Sequence, residues 1–322
     1  MNAQTISMTR PRRGVLLGIL QTYGVYLAIV ALLLYNLVFT PNFFNIENFR
    51  TQFVQVVPVL VVALGMALVI GTEGIDLSVG GVMALAAAVM PLYIGYGLFP
   101  VVVIAIVVGA VVGVINGSMV AFIGVQPIVA TLSLMVAGRG VALLIAHEQM
   151  VSIMDPNVLA IGRGSVAGVP YSVIIAVLAV LLVAVLVNRT TFGKQLMAIG
   201  GSRRAAELSG LPVKRILLIV YILCAALAAI AGIVGTARLG ASVPSTLGNL
   251  IELSAITAVV VGGTPLTGGQ VKVIGTVAGA LLLQFISATL NQHNVPDAYS
   301  QITQAVIILF AVYIQRGRLA VR

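Results

Sequence analysis

Two long apolar runs of this chain are joined by a polar, glycine-rich segment, Gly71–Gly81. The segment contains two carboxylates, Glu73 and Asp76, together with four glycines. Carboxylates at the depth of a bilayer are costly and usually functional. Glycine-broken backbone is tolerated there only where protein or a water-filled cavity covers it. The segment therefore predicts a membrane protein with a polar interior, an arrangement typical of transporters.

Composition narrows the fold class further. The 322 residues are 60% hydrophobic and only 8% charged, whereas about a quarter of the residues in a soluble domain are charged. The apolar runs are continuous, which argues against a transmembrane barrel of alternating strands. The glycines at 109, 113 and 117 recur at the spacing of close helix–helix contacts. We therefore expect an all-α, polytopic helix bundle surrounded by membrane lipid.

Ten segments have the hydropathy expected of transmembrane spans. They cover residues 16–38, 54–71, 78–97, 99–123, 127–146, 171–188, 216–237, 250–264, 272–290 and 299–315. The chain is then a single transmembrane domain, 15–315, between an N-terminal tail, 1–14, and a C-terminal tail, 316–322. Two connections are long enough to carry function, the loops 147–170 and 189–215.

The distribution of basic residues predicts the orientation of the bundle. With both termini in the cytoplasm, thirteen of the 17 Lys and Arg residues fall in inner segments and three in outer ones. This matches the excess of positive charge that cytoplasmic loops carry. Loop 147–170 is then outside, and loop 189–215, which has six basic residues, is inside. The net charge of +9 is explained by the basic residues that the cytoplasmic loops carry. Nucleic acid is therefore not expected as a partner.

The inner loop contains the signals of a short helix. Ser202 is a suitable N-cap, Arg203–Ser209 would form the helix, and Gly210 would follow it in a left-handed conformation. Pro212 prevents the helix from continuing. Such a helix between two spans could dock into a groove of a cytoplasmic partner. The alternative is an ordinary basic loop that only satisfies the orientation rule.

Several polar residues fall within predicted spans. Arg139 is the only basic residue placed deep in a span, so it needs a partner or a watery cavity, and the available acids are Glu73, Asp76 and Glu252. The neutral residues are Asn116, Gln126, Thr131, Ser133 and Gln284. Neutral hydrogen-bonding groups suit a hydroxyl-rich solute better than an ion. Alternatively, each of them only bonds one helix to another.

The sequence carries no motif for catalysis, for a metal or for a cofactor. The segment Gly262–Gly269 resembles a phosphate-binding loop, but the Lys-Ser/Thr pair that would complete that motif is missing. This chain is therefore not expected to bind ATP itself. His147 and His293 both fall in predicted outer loops, where neither is placed to serve a buried nucleophile. An enzymatic function is accordingly not expected.

Four separated motifs carry a family resemblance. They are Gly74–Gly80, Gln126–Leu132, Ala198–Gly201 followed by Ala205-Ala206 and Ser209-Gly210, and Ala258–Thr264 continuing to Gly268-Gly269. On these motifs the chain resembles the permease subunit of ribose-type bacterial ABC sugar importers, from about Phe43 to the last span. The stretch Met135–Gly140 is similar to the galactofuranose-importer branch. Relatives often have Gly at the position of Glu73, Asn near Ser202 and Asp at Ser254.

The resemblance implies a monosaccharide permease in the bacterial inner membrane, working with several partners. These would be a cytoplasmic ATPase that binds ATP and Mg, a second permease chain, identical or different, and a periplasmic or tethered sugar-binding protein. The short inner helix would be the ATPase-coupling helix, with residues Arg203, Arg204, Ala205, Ala206, Glu207, Ser209 and Gly210.

We predict that six residues line or support the translocation pathway: Asp76, Asn116, Gln126, Thr131, Arg139 and Gln284. Asp76 is expected to organise the broken segment between the second and third spans. Three alternatives stay open at this point. They are an ABC permease for an amino acid or signalling molecule, an ion-coupled secondary transporter, and a membrane enzyme.

Overall fold

The computed structural model describes residues 12–316. Of the two predicted tails, residues 1–11 and 317–322 lie outside this range. Within it the chain forms thirteen α-helices. They are α1 (Arg12–Phe39), α2 (Ile46–Gly71), α3 (Val79–Tyr93), α4 (Leu98–Ser118), α5 (Pro127–Ile145), α6 (Pro156–Arg163), α7 (Tyr171–Arg189), α8 (Thr191–Gly201), α9 (Arg203–Leu208), α10 (Val213–Leu239), α11 (Ile251–Val261), α12 (Val273–Gln292) and α13 (Asp297–Arg316).

Each of the ten predicted spans coincides with one of these helices. Seven are long and apolar enough to cross a membrane: α2, α3 with the following 3₁₀ turn Ile94–Tyr96, α4 with the following π turn Met119–Ile123, α5, α7, α10 and α12. In α1, whose side chains are described from Tyr23 onward, the described stretch Tyr23–Phe39 has fewer than 18 residues, and so does α11. The helical membrane bundle is therefore confirmed, and the number of ten spans stays a prediction.

Three helices, α2, α3 and α10, form the centre of the bundle. In their most apolar stretches 78%, 67% and 67% of the residues are buried, against 17% in α5 and 22% in α4. A helix that is apolar on all sides and largely buried lies in a core. The outer helices α4, α5 and α7 leave most of their apolar side chains free to face lipid or another membrane chain.

The glycine stripe of α4 packs against α10, as its spacing predicts. A Cβ on Gly109 would lie 2.7 Å from Cβ of Ala229, and one on Gly113 would lie 2.7 Å from Cα of Ile222. Gly117 is as close to Leu218, because its Cβ would lie 3.0 Å from Cα of that residue. Side chains at these three positions would push the two helices apart, so the stripe sets their separation.

Both long loops are more ordered than the sequence predicts. The loop 147–170, which is predicted to be the outer one, contains α6 and three two-residue strands: β1 (Val151–Ser152), β2 (Ser165–Val166) and β3 (Val169–Pro170). Strand β1 pairs with β4 (Ala241–Ser242) after α10, and β2 pairs with β3, both antiparallel. The expectation of a purely helical chain is thus corrected by four short strands. The inner loop contains α8 in addition to the predicted short helix.

An arginine fastens the outer loop to the end of α10. Arg163 donates from Nε to the carbonyl of Arg238 at 3.0 Å and from Nη2 to that of Leu239 at 2.7 Å. These carbonyls belong to the last turn of the helix, where cations and hydrogen-bond donors are favourable. The loop therefore sits in a fixed position on the bundle.

Candidate functional site

The chain leaves the membrane helix α2 at Gly71 and does not resume a helix until Val79. The end of α2 is closed by a tight turn, in which Thr72 Oγ1 and the Gly74 amide donate to the Val69 carbonyl at 2.8 and 3.1 Å. Glu73 adopts a left-handed conformation with φ +66° and points an exposed side chain outward. Glycine adopts this conformation without strain, whereas a residue with a Cβ does not.

Asp76 and Ser78 organise the broken segment at the start of α3. Asp76 Oδ1 accepts hydrogen bonds from the amide and the hydroxyl of Ser78, at 2.9 and 2.6 Å. Asn116 of α4 donates from Nδ2 to Ser78 Oγ at 2.8 Å. All three side chains are completely buried. A carboxylate in this position also faces the positive end of the α3 dipole, which stabilises it.

This buried cluster keeps unused hydrogen-bonding capacity. Within the described part of the chain, Asp76 Oδ2, Asn116 Oδ1 and the Tyr221 hydroxyl make no hydrogen bond with protein atoms. Tyr221 and Cys224 of α10 interact electrostatically with Asp76. Buried polar atoms without partners are uncommon and costly, so these three atoms are available for hydrogen bonds with a further polar partner.

Thr131 ties α5 to the same segment. It is fully buried, and its hydroxyl donates to the Pro127 carbonyl at 2.9 Å and lies 3.3 Å from the Ile75 carbonyl. Gln126 precedes α5 but forms no capping bond with it, and its side chain is exposed. The structure thus brings Asp76, Asn116 and Thr131 to the broken segment and leaves Gln126 outside this cluster.

Arg139 lies in a second polar region, beside the connection between α10 and α11. Its Nη1 donates to the carbonyls of Pro244, Leu247 and Ser245, at 3.0, 3.3 and 3.4 Å. This connection precedes α11, which has only 11 residues and so spans about 17 Å, roughly half of a bilayer core. The guanidinium therefore stabilises the irregular backbone that leads into α11.

Of the three acidic residues that the sequence offers as partners for Arg139, Glu252 is the one that lies near it. The two side chains interact electrostatically but lie farther apart than the 4.0 Å of an ion pair. Gly80 lies between them, since a Cβ there would be 2.9 Å from Glu252 Oε2 and 3.5 Å from Arg139 Nη2. The other two acids are occupied differently: Glu73 is exposed and Asp76 bonds to Ser78.

Gln284 belongs to neither of these regions. Its Nε2 donates to Oε1 of Gln52 at 2.7 Å and to Oε1 of Gln55 at 2.9 Å. Both partners lie near the start of α2, about 25 Å along that helix from Gly71 at 1.5 Å per residue. The six predicted pathway residues are therefore spread over several places in the bundle.

The predicted short helix of loop 189–215 is present as α9. Ser202 Oγ accepts from the Ala205 amide at 3.3 Å, and Arg203 pairs with Glu207 at 3.3 Å. At the other end Gly210 has φ +76°, its amide donates to the Glu207 carbonyl, and the Leu211 amide donates to the Ala206 carbonyl. These bonds form a Schellman motif. The predicted helix end at Ser209 is one residue too late, because Ser209 is the C-cap.

Almost all of the α9 surface is exposed and does not pack against the rest of the bundle. Only Ala206 is buried, whereas Leu208 exposes 82% of its side chain. Leu208 is thus a single exposed apolar side chain at the end of a helix that also presents Arg203, Arg204 and Glu207.

Sequence reasoning overlooked Ser78, Tyr221 and Cys224 as members of the buried cluster. Ser78 lies inside the opening segment, two residues after Asp76, where a hydroxyl can bond a neighbouring carboxylate. Tyr221 is a tyrosine well inside an apolar run, away from the interface where this residue is expected. Both signals were available in the sequence. Nothing in the sequence connects either residue to Asn116.

Comparison with known proteins places the chain in a family. Residues 48–312 match the family described as "Branched-chain amino acid transport system / permease component". The chain is 40% identical to the galactofuranose transporter permease protein of Escherichia coli over 81% of this chain and 77% of that protein. It is 39% identical to the ribose import permease protein of Escherichia coli, over 87% and 88% of the two chains.

A third relative has another sugar in its name. The fructose import permease protein of Bifidobacterium longum is 36% identical over 81% of this chain and 75% of that protein. No solved structure gives a significant match.

Proposed function

Because the chain belongs to the family of transport-system permease components matched over residues 48–312, we propose that it is the membrane subunit of a bacterial ABC importer for a monosaccharide. The observation that carries this proposal is the agreement among relatives that match over most of both chains. At 36 to 40% identity they are import or transport permeases for ribose, galactofuranose and fructose. The chain would reside in the inner membrane, with its termini in the cytoplasm.

The substrate class is proposed as a neutral sugar, although the family description refers to branched-chain amino acids. The polar residues that face the bundle interior are mainly amides and hydroxyls, among them Asn116, Thr131 and Gln284. Such groups exchange hydrogen bonds with sugar hydroxyls. An amino-acid or signalling-molecule permease of the same architecture is the second candidate.

Energy for transport would come from a separate ATPase subunit. The helix α9 offers the exposed surface on which such a subunit could dock, and Leu208 would be its apolar anchor. The chain itself lacks a complete phosphate-binding motif. ATP and Mg would therefore be bound by the partner, and this chain would have no enzymatic activity of its own.

Two further partners complete the proposed transporter. A second permease chain, identical or different, would cover outward-facing apolar helices such as α5, and a binding protein would deliver the sugar to the outer side. The ordered outer loop, fixed to α10 by Arg163, would offer that protein a rigid surface. During alternating access the broken segment around Asp76 would be the part that changes conformation, since it lacks helical hydrogen bonds of its own.

Uptake in reconstituted vesicles tests this proposal. The tagged chain is purified with its associated proteins, inserted into liposomes with ATP inside, and supplied with labelled ribose, fructose or galactofuranose and the binding protein. We expect ATP-dependent accumulation of one sugar that excess leucine does not compete away. Competition by leucine would favour the amino-acid alternative, and uptake driven by an ion gradient without ATP would favour a secondary transporter.

A further inference from the structure

Three backbone segments meet at the inner end of α2 with no side chain between them. The Gly269 amide donates to the Gly71 carbonyl at 3.0 Å. A Cβ on Gly200, in the last turn of α8, would overlap that same carbonyl oxygen and would lie 2.5 Å from the Gly269 nitrogen. Only glycine allows so close an approach.

Neighbouring residues close this contact on its other sides. Gly268 has φ +75°, and a Cβ there would lie 2.8 Å from the Gly200 carbonyl oxygen and 2.9 Å from the Glu73 nitrogen. The side chains of Leu196 and Val271 cover Gly71. We refer to Gly71, Gly200, Gly268 and Gly269 as the glycine junction.

The junction lies between the two parts of the chain that the proposed mechanism must connect. Gly200 is two residues before Ser202, the N-cap of the docking helix α9. Gly71 is the last residue of α2, directly before the broken segment that carries Asp76. One path from α9 to the broken segment therefore runs through the backbone contact between Gly200 and Gly71.

Contacts of this kind transmit displacement well. A side chain can change rotamer and absorb a shift, whereas a carbonyl oxygen packed against a glycine Cα has no such freedom. Close-packed interiors have low compressibility and pass strain on to their neighbours. The Gly269–Gly71 hydrogen bond couples the turn before α12 to the same movement.

Resting on the proposed coupling to an ATPase, we propose that Gly200 is a positioning residue for transport: it transfers movement of α9 onto Gly71 and so repositions the broken segment. Gly200 touches neither the sugar nor the nucleotide. We expect a change at Gly200 to alter the coupling between ATP hydrolysis and sugar delivery. A residue that served only in packing would not alter this coupling.

The chain offers a matched control in the next residue. A Cβ on Gly201 would meet nothing within 4 Å, and Gly201 is exposed, whereas Gly200 is buried. Gly200→Ala and Gly201→Ala therefore add the same methyl group to adjacent residues of one helix, and only the first addition strikes the junction. Any general effect of removing a glycine from α8 is shared by both variants.

The experiment compares complexes of the full chain with its co-purified ATPase in liposomes. ATPase activity is measured without and with the sugar-loaded binding protein, and sugar uptake is measured in parallel. For Gly200→Ala we expect assembled complexes in which stimulation by the binding protein falls about fivefold or more and uptake falls with it. Basal ATPase activity and the amount of bound ATPase should stay near those of the wild type, and Gly201→Ala should behave as the wild type in every measurement.

A second variant decides the question if Gly200→Ala does not assemble. Val271→Ala removes both γ-methyl groups of a side chain whose Cγ2 covers Gly71, and so loosens the junction without crowding it. We expect it to assemble and to lose stimulation and uptake in the same proportion.

The results separate this inference from the proposed function. A wild-type complex without an ATPase, or without stimulation by the binding protein, overturns the proposed coupling and this inference together. If the binding protein stimulates the wild-type complex and stimulates the Gly200→Ala or the Val271→Ala complex equally, only the role of the junction is overturned. An equal loss of stimulation in Gly201→Ala and Gly200→Ala also overturns it.

Discussion

Asn116 Nδ2 lies 2.8 Å from Ser78 Oγ, so α4 holds the residue that immediately precedes α3 although 38 residues separate the two in sequence. The Ser78 hydroxyl in turn donates a hydrogen bond to Asp76 Oδ1 at 2.6 Å. The position of the broken segment thus depends on a short hydrogen-bonded chain inside the bundle. Several consequences of this arrangement can be measured.

Removing the charge of Asp76 should impair transport without unfolding the protein. In Asp76→Asn the remaining carbonyl oxygen can still accept from Ser78, so the segment keeps its shape while the charge is lost. Hydrogen bonds to charged groups contribute more than neutral ones, and we expect uptake to fall about tenfold. The control is Glu73→Gln, an exposed carboxylate in the same segment, which should transport normally. Uptake of Asp76→Asn at the wild-type rate would remove Asp76 from the mechanism.

Removing the amide of Asn116 should lower stability. Asn116→Ala leaves Ser78 Oγ without this donor in a buried site, which costs about 1–3 kcal/mol. The measurement is the thermal unfolding midpoint of the protein in detergent. Asn188→Ala serves as the control, because Asn188 is exposed and bonds only the carbonyl one turn before it. Equal midpoints for the two variants would show that the Asn116–Ser78 bond does not hold the segment.

Glycine in place of Glu73 should stabilise the turn after α2. The left-handed conformation of Glu73 costs a residue with a Cβ about 1–2 kcal/mol, and glycine avoids this cost. Glu73→Gly should therefore unfold at a higher temperature than Glu73→Ala, which loses the same carboxylate but keeps the Cβ. A midpoint for Glu73→Gly at or below that of Glu73→Ala would contradict the assigned backbone strain.

Arg139 and Glu252 should be energetically coupled across Gly80. Arg139→Gln and Glu252→Gln each leave one charge without its counterpart at membrane depth, so the double variant should lose less stability than the two single losses together. Residues in one electrostatic network show interaction energies of about 0.5–3 kcal/mol. Arg139→Gln combined with Glu207→Gln is the control pair, since Glu207 pairs with Arg203 on α9. Additive losses in the Arg139–Glu252 pair would mean that the two charges do not stabilise each other.

Local signals in the sequence predicted the elements that depend on local interactions. The helix α9 was recognisable from the cap at Ser202 and the glycine at 210, since both ends of that helix are closed by bonds within a few residues. Four of the ten apolar segments, 54–71, 99–123, 171–188 and 216–237, were equally clear, because each is a continuous apolar run, and all four form helices long enough to cross a membrane.

Contacts between distant elements could not be predicted in this way. The helix α8 has three glycines among its eleven residues, which disfavour an isolated helix, and it is stabilised by packing at the glycine junction. The acid that accompanies Arg139 is 113 residues away in sequence, and two other acids were equally plausible before the structure placed Gly80 between Arg139 and Glu252. Sequence also grouped Gln284 with Asp76, although Gln284 bonds to the opposite end of α2.

Co-purification of an ATPase with this chain tests the central claim most directly. The tagged wild-type chain and two variants are extracted in mild detergent, and the associated proteins are identified. Leu208→Glu changes the exposed apolar side chain of α9, and Leu239→Glu makes the same change at the half-exposed outer end of α10. We expect an ATPase with the wild type and with Leu239→Glu, but not with Leu208→Glu. Isolation of the wild-type chain without any ATPase, together with uptake driven by an ion gradient, would contradict an ABC permease.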